Sequence, residues 1–227
     1  MNKPARPMFQ ESISLATPVD LLQRLLTKVN TLWLRRTYPF AAYGRGGWVH
    51  YSCDIRRCVS PYISIGNEVA IDRDVWLNIP HVPPEVKPVI VIEDGCGIGR
   101  RCMISAQNYI HIGRNAVFGP QVLLMDHNHE FEDVNVAIAF QGTTDGGRII
   151  IEEGCWIGFG AAIVCGTGEL VIGKNSVIGA NSVVTRSIPP YSVVTGNPAR
   201  VVKQFDPVRQ AWVLGSSGAP AHMSAKV

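Results

Sequence analysis

The sequence has no long apolar run, little charge and no basic cluster. No stretch reaches eighteen apolar residues, and the N-terminus, with Pro4 and Pro7 and no apolar core, does not resemble a signal peptide. Charged residues make up 17% of the chain, and the formal net charge is +3. Without a Lys/Arg run or an aromatic-rich basic motif, this composition argues against a dedicated nucleic-acid binder. We therefore expect a cytoplasmic protein that binds no nucleic acid.

Cysteine occurs six times in 227 residues, but no C-x-x-C pair is present. That spacing is typical of zinc sites and redox motifs, so its absence favours reduced thiols packed in a cytosolic protein. Cys96, Cys102 and Cys155 fall at the fifth place of six-residue units, where a small apolar side chain fits. No bound metal is predicted.

The most informative pattern is a repeat of six residues between Ile151 and Thr185. Units open with Ile151, Ile157, Ile172 and Ile178, a Gly or small polar residue usually follows, and a small or polar residue occupies the fifth place. Neither the helical period of 3.6 nor the strand period of two explains this spacing, whereas a fixed period of six is typical of a parallel β-helix. Three units make one coil of about eighteen residues, and coils stack about 4.8 Å apart.

The same period extends upstream to Ile65, with two interruptions. Four prolines between Pro80 and Pro88 exclude a regular strand there, and a second excursion runs from 126 to 147. The predicted parts are an N-terminal arm with an amphipathic helix and a join (1–60), a β-helix domain with excursions near 80–88 and 126–147 (61–203), and a C-terminal extension (204–227). Within that extension we predict a short helix from Asp206 to Trp212 and a disordered tail from Gly215.

The N-terminal part is predicted to hold an unstructured arm of about sixteen residues and then a helix. Thr17-Pro18 indicates the helix start, because Thr is a favoured cap and Pro suits the first helical position. An apolar stripe is formed by Leu22, Leu25, Leu26, Val29, Leu32 and Trp33, and basic residues on or beside the other face are Arg24, Lys28, Arg35 and Arg36. Such a helix either docks on the solenoid or a neighbouring subunit and covers an open end, or makes peripheral contact with a membrane surface.

The second excursion carries the candidate catalytic chemistry. From Asp126 to Asp133 it holds two histidines, His127 and His129, and four carboxylates. Histidine takes up and returns a proton near neutral pH without unusual tuning. Many polar surface loops are merely solvated, but this one leaves a rigid coil directly, where side chains are held accurately.

Together, the hexapeptides, the loop histidine and the ending from Ile178 to Arg200, which includes Gly-Asn-Pro-Ala-Arg, resemble the hexapeptide-repeat O-acetyltransferases. That family includes maltose, galactoside and xenobiotic acetyltransferases and relatives that modify polysaccharides. The similarity covers roughly residues 62 to 203. It implies an all-β, left-handed parallel β-helix, a homotrimer, and acetyl-CoA as the donor in a groove between subunits. Left-handedness comes from the resemblance alone, since parallel crossovers are usually right-handed.

The resemblance further implies direct acetyl transfer to a hydroxyl group of a sugar or glycan precursor, with a loop histidine as general base. His127 matches the family's position best, and His129 is the competitor. The base would take the proton of the acceptor hydroxyl as its oxygen attacks the thioester carbonyl, while a backbone N–H stabilises the oxyanion. Asp126, Glu130 or a backbone carbonyl would accept a hydrogen bond from the other ring nitrogen and fix the tautomer.

Positions along the CoA groove are carried over from the resemblance residue by residue. Trp156 matches the family's Trp, and Phe159 matches the residue whose backbone N–H lies near the thioester, although a small residue is common there. The other matched positions are Ala180 beside pantetheine, Thr185 and Arg186 near the adenosine end, and Arg200 and Lys203 near the phosphates. No motif assigns the acceptor site; Asn78, Glu130 and Asp133 are candidates from their places on a coil and on the loop.

Two other functional classes stay open. One is a γ-carbonic-anhydrase-like enzyme, in which three histidines hold zinc across a subunit interface. His81, His111, His127 and His129 could supply ligands, but His127-x-His129 is not that family's spacing. The other is a non-catalytic scaffold, which acetyl-CoA would not stabilise. The long N-terminal helix and the 80–88 loop favour a role in polysaccharide biosynthesis, on a cell-surface glycan or its nucleotide- or lipid-linked precursor.

Overall fold

A computed structural model describes residues 17–215. The predicted N-terminal arm lies outside the described residues, as does the predicted tail beyond Gly215. The described chain is mostly β, with one α-helix and two 3₁₀ segments, Arg57–Tyr62 and Ile138–Phe140. Within residues 17–215, no helix combines the length and the apolar content needed to cross a membrane.

Three sheets form the faces of the predicted left-handed parallel β-helix. The chain visits sheets A, B and C in turn, so each strand of a coil pairs in parallel with its counterpart in the next coil. Sheet A contains β1 (Ala42–Tyr43), β4 (Ile63–Ile65), β7 (Ile90–Ile92), β10 (Tyr109–Ile112), β13 (Arg148–Ile151) and β16 (Glu169–Ile172). Sheet B contains β2 (Trp48–Val49), β5 (Ala70–Ile71), β8 (Gly97–Ile98), β11 (Val117–Phe118), β14 (Trp156–Ile157), β17 (Val177–Ile178), β19 (Ser192–Thr195), β20 (Arg200–Asp206) and β21 (Ala211–Leu214). Sheet C contains β3 (Asp54–Ile55), β6 (Trp76–Asn78), β9 (Met103–Ser105), β12 (Leu123–Met125), β15 (Ala162–Val164) and β18 (Val183–Val184).

The core is a stack of aliphatic residues inside the three sheets. The residue that opens a six-residue unit is buried and pairs with its counterpart one coil away, as Ile112 does with Ile92 and Ile151. The predicted fifth-place thiols are buried and free, and burial raises the pKa of the Cys96 thiol to about 12. Removal of apolar surface from water is the main source of stability of such a stack.

The coil begins earlier in the sequence than residue 61. Strands β1, β2 and β3 form an additional first coil, which pairs with β4, β5 and β6. Its inward residues are Tyr43, Val49 and Ile55, spaced by six residues. The segment that we assigned to a join is therefore part of the solenoid.

Helix α1 (Pro18–Thr37) starts with the predicted cap, in which Thr17 and Asp20 form a reciprocal capping box. The helix covers the free edge of β2, but not with its apolar stripe. Thr31 Oγ1 accepts a hydrogen bond from the Val49 N–H at 3.0 Å, and Asn30 Nδ2 donates to the Val49 carbonyl at 3.2 Å. The apolar stripe that the sequence predicts faces away from the solenoid.

The predicted C-terminal helix is wrong, because the segment is an antiparallel hairpin. Strands β20 and β21 extend sheet B after β19, and the chain reverses between Asp206 and Ala211. Asp206 Oδ1 accepts hydrogen bonds from the N–H groups of Val208 and Arg209 at 2.9 and 3.1 Å. Asp followed by Pro therefore stabilises a tight turn here rather than the first turn of a helix.

Both predicted excursions leave sheet C. The first lies between β6 and β7 and contains the prolines from Pro80 to Pro88. The second lies between β12 and β13, from Asp126 to Gly147. Since β12 is in the middle of the stack, the second loop starts from a strand that is paired on both sides.

Candidate active site

The second loop is closed at its neck by backbone hydrogen bonds. The Gly147 N–H donates to the Asp126 carbonyl at 2.6 Å, and the Thr144 N–H donates to the Asn128 carbonyl at 2.9 Å. One step further out, the Glu130 N–H donates to the Gly142 carbonyl at 3.1 Å. His127 therefore lies between a rigid coil and a short antiparallel ladder, which fixes its backbone on both sides.

Asp126 is buried and its carboxylate is held by backbone donors. Oδ1 accepts a hydrogen bond from the Gln107 N–H at 2.7 Å. Oδ2 accepts hydrogen bonds from the N–H groups of Asn108 and Tyr109 at 2.9 and 2.8 Å. These donors come from the turn after β9 and from Tyr109 at the start of β10, and together they fix the position of the carboxylate.

The Asp126 carboxylate also orients the His127 ring. His127 Nδ1 lies 3.0 Å from Asp126 Oδ1, and the His127 side chain is 10% exposed. Because an ionised carboxylate can only accept, the proton of a neutral imidazole lies on Nδ1. Nε2 is then a lone-pair acceptor, and it has no hydrogen-bond partner among the described residues. This arrangement can take a proton from a hydroxyl group at Nε2.

The other predicted loop residues are arranged differently. His129 is exposed and pairs only through its backbone, in a bridge with Thr143. Glu130 is half-buried and belongs to the neck. Asp133 is exposed, and its carboxylate accepts a hydrogen bond from the Asn135 N–H at 2.9 Å, within the loop's own turn. The structure therefore brings Asp126 to His127 but brings neither His129 nor Asp133 to this pair.

Asn78 lies on sheet C below the loop. Its register partner is Ser105 in β9, and Ser105 in turn pairs with Met125, which precedes Asp126. Asn78 Nδ2 donates to Ser105 Oγ at 3.0 Å, and Asn78 Oδ1 accepts from Arg56 Nη2 at 3.2 Å. This polar column thus reaches the site from two strands away, about 10 Å at ordinary strand spacing.

Three of the predicted CoA residues lie on sheet B and at its border with sheet C. Trp156 points outward from β14 and is 56% exposed, and Phe159, in the following turn, is 45% exposed. Ala180 occupies the equivalent turn one coil above. Within residues 17–215, the backbone N–H groups of Phe159 and Ala180 have no acceptor. This corner offers an aromatic surface and two free donors.

The predicted phosphate contacts lie elsewhere on the chain. Thr185 and Arg186 follow β18 and are exposed at the border between sheets C and A, the same border from which the His127 loop leaves. Arg200 and Lys203 are exposed on β20. Arg186 and Lys203 have no carboxylate partner in the described part of the chain, so both cations are available to an anion.

Within one chain, a strand of sheet C separates the corner with Phe159 and Ala180 from His127. The corner with Phe159 and Ala180 precedes β15 and β18, whereas His127 follows β12. Three residues of strand span about 10 Å. One chain therefore does not place the sheet B corner beside its own His127.

Metal-ligating side chains are not clustered in the described range. Within residues 17–215, no group of three or more His, Cys, Asp and Glu side chains is arranged to hold a metal ion. His111 Nε2 lies 3.2 Å from Glu93 Oε1 on sheet A, away from His127 on its loop. The carbonic-anhydrase-like alternative takes its ligands from two subunits, so its test is metal analysis of the purified protein.

Sequence reasoning missed the residues that hold Asp126 in place. Gln107, Asn108 and Tyr109 act through their backbone N–H groups, so their side-chain types carry no signal for this role. The position of the turn gives a signal, because 106–108 follows β9 in the coil directly below Asp126. The register of the coils locates this turn, but it does not give the direction of the N–H groups.

Comparisons with known proteins identify relatives over most of the solenoid. No protein-family model matches the chain. A Schizosaccharomyces pombe protein named as an acetyltransferase is 32% identical over 158 residues, 65% of this chain and 72% of that protein. WbbJ of Escherichia coli, named as a lipopolysaccharide biosynthesis O-acetyl transferase, is 28% identical over 131 residues, 55% of this chain and 65% of that protein. A galactoside O-acetyltransferase of Lactococcus lactis is 35% identical over 97 residues, 43% of this chain and 44% of that protein.

A solved structure supports the fold independently. The D94N mutant of AntD, an N-acyltransferase from Bacillus cereus crystallised with dTDP and coenzyme A, superposes with a TM-score of 0.61 at 20% identity. The match covers 75% of this chain and 87% of AntD. Identity this low shows the fold alone, whereas the S. pombe relative shows common descent over most of its length. By sequence and by architecture, the chain belongs to the hexapeptide-repeat acetyltransferase family.

Proposed function

We propose that this protein transfers the acetyl group of acetyl-CoA to a hydroxyl group of a sugar or glycan precursor, with His127 as general base. Membership of the acetyltransferase family supports the reaction class. The names of the E. coli and L. lactis relatives support a glycan or galactoside hydroxyl as acceptor. The observation that carries the mechanism is the buried Asp126–His127 pair, with Nδ1 bonded and Nε2 free.

In the proposed step, His127 Nε2 takes the proton of the acceptor hydroxyl as the oxygen forms a bond to the thioester carbonyl carbon. The negative charge that develops on the carbonyl oxygen is stabilised by a backbone N–H, for which Phe159 is the candidate. When the carbon–sulfur bond breaks, the protonated His127 returns its proton to the departing sulfur, giving the acetyl ester and free CoA. Asp126 stabilises the imidazolium throughout because its carboxylate stays hydrogen-bonded to Nδ1.

The proposed donor groove fits the chemistry of CoA. Trp156 and Phe159 give an exposed aromatic surface for the pantetheine arm, and the free N–H groups of Phe159 and Ala180 match its amide carbonyls. Arg186, Arg200 and Lys203 supply positive charge for the phosphates, and Thr185 a hydroxyl. The AntD structures contain coenzyme A or 3-hydroxybutyryl-CoA, which supports a CoA thioester as the donor class for this fold.

The proposed site is completed by a second copy of the chain in a homotrimer. Since sheet C separates His127 from the Phe159 corner in one chain, direct transfer requires the corner of a neighbouring copy. Mixing two inactive variants tests this. His127→Ala lacks the base but keeps the corner with Phe159 and Ala180, whereas Ala180→Trp blocks that corner but keeps His127. If the site is shared, random mixed trimers should regain about a quarter of the wild-type sites. No regained activity in verified mixed trimers would refute a shared site.

Among the predicted acceptor residues, Glu130 is supported best, because it is half-buried at the neck beside His127. Asn78 is the second candidate: the Asn78–Ser105 column leads to the strand that precedes Asp126, but both ends of the Asn78 amide are already hydrogen-bonded. Asp133 has the weakest support, because it is exposed beyond the neck and its carboxylate is engaged in the loop's own turn. Glu130→Gln should raise the KM for the acceptor more than the KM for acetyl-CoA.

The decisive experiment measures CoA release against a panel of sugars and nucleotide sugars. His127→Ala should lower turnover by about 10²–10⁴-fold, the range for loss of a general base. The matched variant His129→Ala should stay near wild type, because His129 is exposed and bonded only through its backbone. Both variants should be stabilised by acetyl-CoA, by about 2.7 kcal/mol at 100 times its Kd. Near-wild-type turnover of His127→Ala would reject the assignment.

A further inference from the structure

Helix α1 carries an apolar face that the described residues leave largely exposed. We call it the outer face of α1: Val19, Leu21, Leu22, Leu25, Leu26, Val29, Leu32 and Trp33, which are 42–61% exposed. A contiguous surface of this kind is unusual on a protein that has no partner for it. The opposite face of the helix is already occupied, since Thr27 and Leu34 are buried against the first coil.

The orientation of the outer face is fixed by polar contacts. Asn30 and Thr31 hydrogen-bond to Val49 at the edge of β2, so a rotation that buried the leucines would leave these groups unpaired. The apolar face is therefore held outward.

The charge around the outer face has one sign. The helix has four basic residues and a single acidic residue, Asp20, which is engaged in the N-terminal cap. At 100° per residue, Lys28 and Arg35 lie on the same flank, between the docked face and the outer face. Together with Leu32 and Trp48 they line a cleft of about 300 Å³ between the helix and the first coil. The cleft therefore places two cations beside the apolar surface.

We propose that the outer face of α1 docks on an anionic lipid surface, with the leucines in the acyl boundary and Lys28 and Arg35 on lipid phosphates. An apolar face with a Trp and a basic flank is the arrangement of an interfacial helix. A second copy related by a two-fold axis fits less well, because contact between outer faces would bring two sets of basic residues together. Contact with a different surface of a neighbouring copy is an outcome of the test below. The proposal does not depend on the transferase chemistry, since vesicle binding and CoA release are separate measurements.

The test is co-sedimentation of the full chain with vesicles of phosphatidylcholine alone or with 30% phosphatidylglycerol. We expect binding to the anionic vesicles that weakens strongly in high salt. Lys28→Gln/Arg35→Gln should weaken binding by about thirtyfold, the sum of two basic contacts with an anionic surface. Leu25→Ser/Leu32→Ser should abolish sedimentation. The matched control is Val208→Ser/Leu214→Ser, which removes two exposed apolar residues from the opposite end of the solenoid and should change nothing.

Three results would overturn the proposal. The first is no sedimentation of the wild type with anionic vesicles in low salt. The second is a change of oligomeric state in Leu25→Ser/Leu32→Ser by analytical ultracentrifugation, which would assign the face to a second copy. The third is vesicle binding that appears only after deletion of residues 2–16, which would mean that the chain's own N-terminal segment occupies the face. Circular dichroism should establish that each variant keeps its fold.

Discussion

Asp126→Asn is the sharpest test of the site because the geometry gives the size of the effect. The Asn amide can take two orientations. If its carbonyl replaces Oδ1, the N–H groups of Asn108 and Tyr109 lose their acceptor. If its carbonyl replaces Oδ2, only the Gln107 N–H loses its acceptor, but the Asn NH₂ then donates to His127 Nδ1. The second orientation leaves one fewer buried donor unpaired, so it should be favoured.

The favoured orientation puts the imidazole in the wrong tautomer, with its proton on Nε2. One unpaired buried donor costs about 1–3 kcal/mol, so the competent tautomer should fall to between about a fifth and a hundredth of the population. Loss of the hydrogen bond from the imidazolium to a carboxylate removes about 1.5–3 kcal/mol of further stabilisation when the proton is transferred. Turnover should therefore fall by about 10²–10⁴-fold, as much as in His127→Ala.

The assay for Asp126→Asn is the initial rate of CoA release at saturating acetyl-CoA, with the unfolding free energy measured by urea denaturation. The unfolding free energy should be about 1–3 kcal/mol lower than in the wild type, because one buried N–H group has lost its acceptor. The matched control is Asp145→Asn, the same change at an exposed carboxylate of the same loop, which should alter neither quantity. Turnover of Asp126→Asn within about threefold of wild type would refute the role of this carboxylate.

The remaining predictions concern the scaffold. Ile104→Ala removes a fully buried side chain and should lower the unfolding free energy by about 2–5 kcal/mol, whereas Met103→Ala, on the outer side of the same strand, should have a small effect. In the native protein a thiol reagent should modify exposed Cys58 rapidly and leave Cys96 intact, since burial raises the pKa of that thiol to about 12; equal rates would contradict the buried position. Burial also lowers the pKa of His50 below its ordinary value, so the folded state resists protonation. The unfolding free energy should therefore decrease as the pH falls below about 6.5, and His50→Gln should remove that slope.

The repeats made most of the fold predictable. Each aliphatic residue at a spacing of six contributes to the same inward stack, so the period identifies the coil without knowledge of other chains. The first coil was missed because Tyr43, Val49 and Ile55 lack the Ile-Gly signature, although their spacing is the same. The C-terminal hairpin was missed because Asp206-Pro207 starts a helix and a tight turn equally well.

The docked face of α1 and the partner of His127 could not be predicted from the sequence. An apolar stripe identifies the amphipathic character of α1, but hydrogen bonds from Asn30 and Thr31 to a strand edge decide which face docks. In the site, residue types left Asp126, Glu130 and a backbone carbonyl as alternative partners for the histidine. The backbone N–H groups that orient Asp126 come from the preceding coil, so only the stacked coils distinguish the alternatives.

The ladder at the neck of the second loop separates the outer part of the loop, which can change during evolution, from the part that holds His127. Outside the last neck contact, between Glu130 and Gly142, the segment 131–140 is exposed and, with half-buried Gln141, makes most of its contacts with itself. Residues there can be replaced, inserted or deleted while the proton-accepting nitrogen stays where it is. Such a loop would allow descendants of one ancestor to exchange one acceptor for another without redesigning the reaction.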